Sequence, residues 1–313
     1  MRRVSALLTG LAILCAACAP PPAQPRPAGE HTDVALQHEL EQLTAGFHGT
    51  VGVYVRQLST GATASIRANE IFPTASIVKV PLLVKMMDRV ERGELDLDTV
   101  LVFRDSLRYT DEDILGEFRD SATIPLSQVA FLTAAVSDNS AALWIQALDG
   151  GGEAVNAWLA ENGFESTRVN SRTPGRHDDW EVYGWGQTTP REMSDLMVRI
   201  RRGEVVSPAA SEELYRLLTR SYWYHVALWG IPPTVQAASK QGAVNHARGE
   251  TLVVNAPTGD YVLTVLTREQ ADSTWAPTNE GWELIRHISR AVYTHFNPND
   301  PWKPAEPLGE WRG

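Results

Sequence analysis

Strand-forming runs lie at both ends of this chain, and the long interval between them is patterned for helices. Thr50 to Gln57 and Ala62 to Ala68 flank a Ser59-Thr60-Gly61 turn, which predicts a hairpin. Thr234 to Val244, Glu250 to Asn255 and Tyr261 to Arg268 read as strands too, the last two joined through Pro257-Thr258-Gly259-Asp260. Leu36, Leu40, Leu43 and Phe47 share one helical face ahead of the hairpin, and an amphipathic helix is predicted from Asn279 to His295. The interior carries predicted helices over Ala75 to Arg92, Leu126 to Ala135, Ala141 to Leu148, Glu153 to Glu161 and Ser211 to Thr219. Another opens at Thr189-Pro190-Arg191-Glu192, which combines an N-cap, a proline at the first helical position and a capping-box glutamate. The expected fold class is therefore α+β: one antiparallel sheet of terminal segments flanked by helices, with an all-helical lobe inserted in the middle. A cleft between the lobes is the natural place for a site.

Met1 to Ala17 has a basic start, an apolar stretch and small residues at its end, the layout of an export signal, and it is too short to span a bilayer comfortably. Leu14-Cys15-Ala16-Ala17-Cys18 resembles the lipobox of bacterial lipoproteins and would make Cys18 the lipidated first residue. A plain signal-peptidase cut after Ala19 is the rival, with Pro20 poorly placed just beyond the scissile bond. The expected division is a signal at 1–17, a Pro-rich tether at 18–32, a catalytic domain at 33–296 and a tail at 297–313. The product would be exported to the periplasm or cell envelope and lipid-anchored to a bacterial membrane.

Both cysteines fall in the leader, so the domain has no thiol for catalysis, metal ligation or a disulfide. The formal charge of −10 argues against nucleic-acid binding. The eight histidines show no tight ligand spacing, and neither a P-loop nor a Gly-x-Gly-x-x-Gly fingerprint is present, so no metal or cofactor is expected.

Ser76-Ile77-Val78-Lys79 places a hydroxyl and an amine on one face of a helix, at its N-terminus. A serine is a weak nucleophile until a base takes its proton. A lysine can be that base only if burial or a second cation keeps it neutral, at a cost of about 4 to 5 kcal/mol near pH 7. Alone, this pair is a weak signal. Ser137-Asp138-Asn139 follows an apolar helix, however, and Lys240-Gln241-Gly242 lies on a late strand.

In that order and spacing the three groups resemble class A β-lactamases and their penicillin-binding relatives. The similarity extends through Gly61, Phe72-Pro73, Thr167-Arg168 and Thr188-Thr189-Pro190, over roughly Val34 to Phe296. It implies a β-lactamase/transpeptidase-like fold. It also implies roles: Ser76 as nucleophile, Lys79 as base and Ser137 as a proton relay. Lys240 would be the second cation and carboxylate attractor, and Asn139 a holder of the substrate amide. Backbone N–H groups of Ser76 and Ala243, beside Gly242, would form the oxyanion hole. Asp138 would brace its loop, and Tyr109 would stand at the cleft mouth.

Two positions depart from the family. Its Glu-Pro-x-x-Asn segment, whose glutamate activates the deacylating water, falls on Thr173-Pro174 and His177. Glu181 is the candidate replacement, against the reading of its stretch as a solvated loop. Gln241 stands where relatives carry Thr or Ser against the substrate carboxylate, and Arg248 resembles the arginine that anchors that carboxylate, one position off an ungapped comparison.

The leading expectation is a serine hydrolase opening β-lactam amides through a Ser76 acyl-enzyme, with slow or unusual deacylation. A D-Ala-D-Ala peptidase acting on peptidoglycan stem peptides is the alternative. A non-catalytic β-lactam- or peptidoglycan-binding envelope protein is a third.

Overall fold

The computed structural model describes residues 29–109 and 113–304. The signal, most of the tether with Cys18, and residues 305–313 lie outside the described residues. Among those described, no helix is long and apolar enough to cross a membrane.

The chain begins with β1 (His31–Thr32), α1 (Val34–Thr44), β2 (Thr50–Gln57), β3 (Ala62–Ile66) and the short β4 (Phe72–Pro73). A 3₁₀ turn, Ala75–Val78, runs directly into α2 (Lys79–Glu91). Then come β5 (Val100–Val102), β6 (Thr123–Pro125), α3 (Leu126–Ala135), α4 (Asn139–Leu148) and α5 (Gly151–Glu161). β7 (Arg168–Val169), α6 (His177–Tyr183), β8 (Gly186–Thr188), α7 (Pro190–Arg202) and α8 (Pro208–Leu218) complete the interior. β9 (Ala237–Val244), β10 (Ala247–Val254), β11 (Tyr261–Arg268) and α9 (Glu280–Phe296) close the chain.

The terminal segments meet as expected. The main sheet has the order β1-β3-β2-β11-β10-β9, antiparallel except for β1, which pairs in parallel with β3 and starts the sheet two residues ahead of the expected boundary. Alternation along the strands divides two cores. Val53 and Val55 pack with α1 and α9, whereas Tyr54 between them faces the helical lobe. Leu252 and Val254 likewise face α9, with Val253 turned to the lobe.

Local signals set most boundaries. Thr189 accepts from Glu192 N at 3.1 Å, Pro190 opens α7, and Gly203 closes it with φ +75°. The capping box is only half made. The Glu192 carboxylate instead collects the N–H groups of Glu165, Ser166 and Thr167 and the Thr167 hydroxyl at 2.6 Å, pinning the chain that enters β7. Two minor sheets, β4-β8-β7 and β5-β6, have strands of two or three residues, too short for an alternating pattern to announce them.

Candidate active site

Ser76, the candidate nucleophile, sits on a strained turn. Ala75, just before Ser76, has φ +44°, a conformation that a residue with a β-carbon adopts only when its surroundings impose it. From one side, Thr74 N donates to Gly186 O of β8 at 2.9 Å. From the other, Gly242 of β9 presses so closely that a β-carbon there would lie 2.5 Å from Thr74 O and 2.8 Å from Ser76 N. Glycine is required at this contact, and it brings the start of Ala243 alongside the half-buried Ser76.

Lys79, the first residue of α2, is fully buried and points into a cage of acceptors. Its Nζ lies 3.1 Å from Ser76 Oγ, 3.0 Å from Ser137 Oγ and 2.7 Å from Asn139 Oδ1, and it also donates to Ser137 O. Lys240 enters from β9, with Nζ 2.9 Å from Ser137 Oγ and 3.0 Å from Gln241 O. The Ser137 hydroxyl thus bridges the two amines. Ser137 also has φ +66°, so both serines belong to strained loops.

Electrostatics follow from this burial. Desolvation first, and then the charge of Lys240, hold Lys79 well below the ordinary lysine range, while Asp113 and Asp138 pull it back upward. Burial brings Lys240 down to about 7, opposed by Glu250. Glu250 is itself raised to about 7 by burial, against hydrogen bonds from Ser239 and Ala227 N and the attraction of Lys240.

Two acids brace the Ser137–Asn139 loop. Asp138 caps α4 at Ala141 N, 2.7 Å away, and accepts from Leu115 N at 2.9 Å. Asp113 accepts from Asn139 N, Ser140 N and the Ser140 hydroxyl. Sequence reasoning missed Asp113, which belongs to no motif and reaches α4 only through the fold. Ser140 Oγ in turn accepts from Tyr109 N at 2.8 Å, and the half-exposed Tyr109 ring meets Trp185 edge-on at 5.0 Å. Trp185, a second residue that no sequence motif singles out, stands with its ring centroid 5.7 Å from Lys79 Nζ.

Ser76, Lys79, Ser137, Asn139, Lys240 and Gly242 therefore converge, with Gln241 half-buried on the same edge strand. Glu181 is not brought to them. It is exposed on α6 and pairs with His177 one turn earlier, 3.3 Å away, because the i,i+4 spacing puts both on the outer face. Thr173 is also turned aside: its hydroxyl donates to Ser171 O at 3.1 Å, and its side chain packs where Gly152 leaves no room for a β-carbon.

Arg248 is likewise not free to take a carboxylate. It pairs with Ala243 across the β9–β10 ladder, so it shares the α9 face with Glu250 and Leu252, opposite to Lys240 and Gly242. Its guanidinium lies 4.7 Å from the ring centres of both Trp275 and Trp282 and donates to the carbonyls of Val244, Ala247 and Thr274.

A groove of about 630 Å³ runs from Ala75 between the segment Val182–Trp185 and the β9–β10 turn at Val244 and His246. Tyr222 and Tyr224 are exposed, while Trp223 Nε1 donates to Val136 O at 3.0 Å beside the Ser137 loop. No three His, Cys, Asp or Glu side chains among the described residues are grouped as metal ligands.

Fold and site together define a serine hydrolase, with Ser76 close to two buried lysines. Residues 35–296 match the β-lactamase enzyme family, and the chain belongs to it, as a class A β-lactamase-like serine hydrolase. β-Lactamase VEB-1 of Pseudomonas aeruginosa is 21% identical over 273 residues, spanning 83% of this chain and 90% of that protein. Extended-spectrum β-lactamase PER-1 of the same organism is 25% identical over 269 residues, spanning 82% and 86%. Among solved structures, PBP-A superposes with a TM-score of 0.78 at 28% identity over 87% of this chain and 100% of that one. A mutant of PBP-A, solved as an acyl-enzyme complex with penicillin G, gives 0.77 at 28% identity over 86% and 99%.

Proposed function

We propose that the protein opens the amide of β-lactams by acyl transfer to Ser76. The observation that carries this reading is the set of acceptors around Lys79. A neutral amine has two N–H donors and one lone pair. Ser137 O and Asn139 Oδ1 can only accept, so they take the two donors, and the lone pair is left for a hydroxyl. Ser76 Oγ is placed to give its proton to that lone pair as its oxygen attacks the carbonyl carbon. Lys240 faces the lone pairs of Ser137 Oγ, which frees the Ser137 proton for the departing nitrogen, and Lys79, 3.0 Å away, passes the proton it took from Ser76 to Ser137 Oγ and is neutral again. Backbone N–H groups of Ser76 and Ala243 receive the developing oxyanion, and Lys240 attracts a substrate carboxylate.

Release of the acyl group is slow in this reading, because the acids whose charge reaches Lys79 are Asp113 and Asp138, both committed to capping α4. The turned-away Thr173 favours a second reading, in which the natural substrate is a peptidoglycan stem peptide ending in D-Ala-D-Ala. A non-catalytic binding role leaves the Lys79 cage without purpose. We place the mature protein in the cell envelope, anchored through Cys18, which intact mass of the membrane-extracted protein tests.

The functional test joins turnover of a chromogenic cephalosporin to intact mass. Acylation of the native chain and none of Ser76→Ala supports the mechanism. Sustained turnover identifies a lactamase, and a persistent adduct identifies a penicillin-binding peptidase. Absence of both adduct and turnover would sink the reading for this substrate class.

A further inference from the structure

Lys79 Nζ is enclosed on its polar sides by Ser76, Ser137 and Asn139. The indole of Trp185 stands beside it, with the ring centroid 5.7 Å away. A water hydrogen-bonded to Nζ and in van der Waals contact with the ring needs about 2.9 Å plus about 3.5 Å along that line, which exceeds the space present. The same indole lines the groove that begins at Ala75, so it stands between that groove and the Lys79 amine.

The partition is held firmly. Trp185 O accepts from Asn170 N at 2.8 Å and from Ser171 N at 3.1 Å, and the ring is backed by Tyr109 at an interplanar angle of 88°. The next residue, Gly186, is wedged where a β-carbon would lie 2.5 Å from Val78 and 2.9 Å from Thr74 Oγ1. The backbone that carries the indole is thereby tied to the turn that carries Ser76.

We propose that Trp185 is a positioning residue that keeps hydrolytic water away from the Ser76 acyl ester and so sets the lifetime of the acyl-enzyme. The inference rests on the acyl-transfer reading above. In the step it restrains, a water oxygen attacks the ester carbonyl and its proton passes to Lys79 Nζ. As the carbonyl re-forms, the C–O bond to Ser76 breaks, Ser76 Oγ takes the proton, and the acid leaves.

Removal of the indole opens the groove to Lys79. Trp185→Ala is expected to shorten the life of the acyl adduct by at least about tenfold while changing the acylation rate less than about threefold. Trp185→Phe, which retains a ring, stays within about threefold of the native protein in both rates. Stopped-flow acylation and the decay of adduct mass in the full mature chain measure the two separately. Trp185→Leu serves if the alanine variant does not fold, with the same expectation. An adduct that decays equally fast or more slowly in the folded variants overturns the role of Trp185 and leaves the acyl-transfer reading standing. A native chain that never acylates overturns both.

Discussion

A β-carbon on Gly242 would sit 2.8 Å from the backbone nitrogen of Ser76, so β9 and the nucleophile turn meet through backbone alone. Strain in the turn at Ala75 is sustained by this contact and by β8 on the other side.

Gly242→Ala must push the two apart. The expected result is a loss of about 1 to 3 kcal/mol of stability from overpacking, with acylation slowed at least about tenfold because Ser76 N and Ala243 N no longer converge. Thermal melts and stopped-flow acylation read the two effects, and native-like acylation in the variant would remove β9 from the oxyanion geometry.

The charge of Lys240 helps hold Lys79 below the ordinary lysine range. Lys240→Ala removes a positive neighbour, so Lys79 binds its proton more tightly and the acid limb of acylation against pH moves upward. In the native protein Lys240 itself loses its charge as pH rises through about 7, so KM for a carboxylate-bearing substrate increases on that side. An acid limb that stays in place in the variant would show that Lys240 does not tune Lys79.

Asp149 closes α4 as a buried carboxyl whose two oxygens find no hydrogen-bond partner among the described residues. Burial raises it to about 8, against the pull of Lys85 and Arg89. In the unfolded chain it ionises near pH 4, so stability is fully present below that pH, falls as pH rises toward 8, and levels off above. Asp149→Asn is therefore expected to match the native protein near pH 4 and to exceed it by about 1 to 3 kcal/mol at pH 8. Denaturant titrations at both pH values test this; a difference independent of pH contradicts it.

Glu192 gathers three backbone N–H groups and the Thr167 hydroxyl at the entry to β7. Glu192→Ala leaves those donors without their acceptor, for an expected loss of about 2 to 3 kcal/mol. Hydrogen exchange should rise at Glu165, Ser166 and Thr167 before it rises in the main sheet.

The parts of the fold that were legible in sequence share a physical cause: a side-chain pattern long enough to repeat. β2, α3 and β11 fall where their periodicity predicts, and Thr189 and Pro190 mark the start of α7. The two-residue strands around Phe72 and Arg168 could not be read this way, because they exist only as partners of β8. α6 fell in a stretch weighed as a solvated loop, since its seven residues bury none of their side chains.

The site divides along the same line. Order and spacing in the chain singled out Ser76, Lys79, Ser137, Asn139 and Lys240, because a short motif carries its residue types wherever the backbone goes. Direction was not encoded so plainly. Arg248 turns to α9 because strand register fixes its face, and Glu181 faces solvent because a helical turn pairs it with His177. Asp113 and Trp185 reach Lys79 across long intervals of sequence with no motif to announce them. The sequence alone thus determined which chemical groups are available. Tertiary packing decided which of them share one small desolvated volume, because burial that lowers a lysine and an indole that stands beside it come only from distant segments brought together.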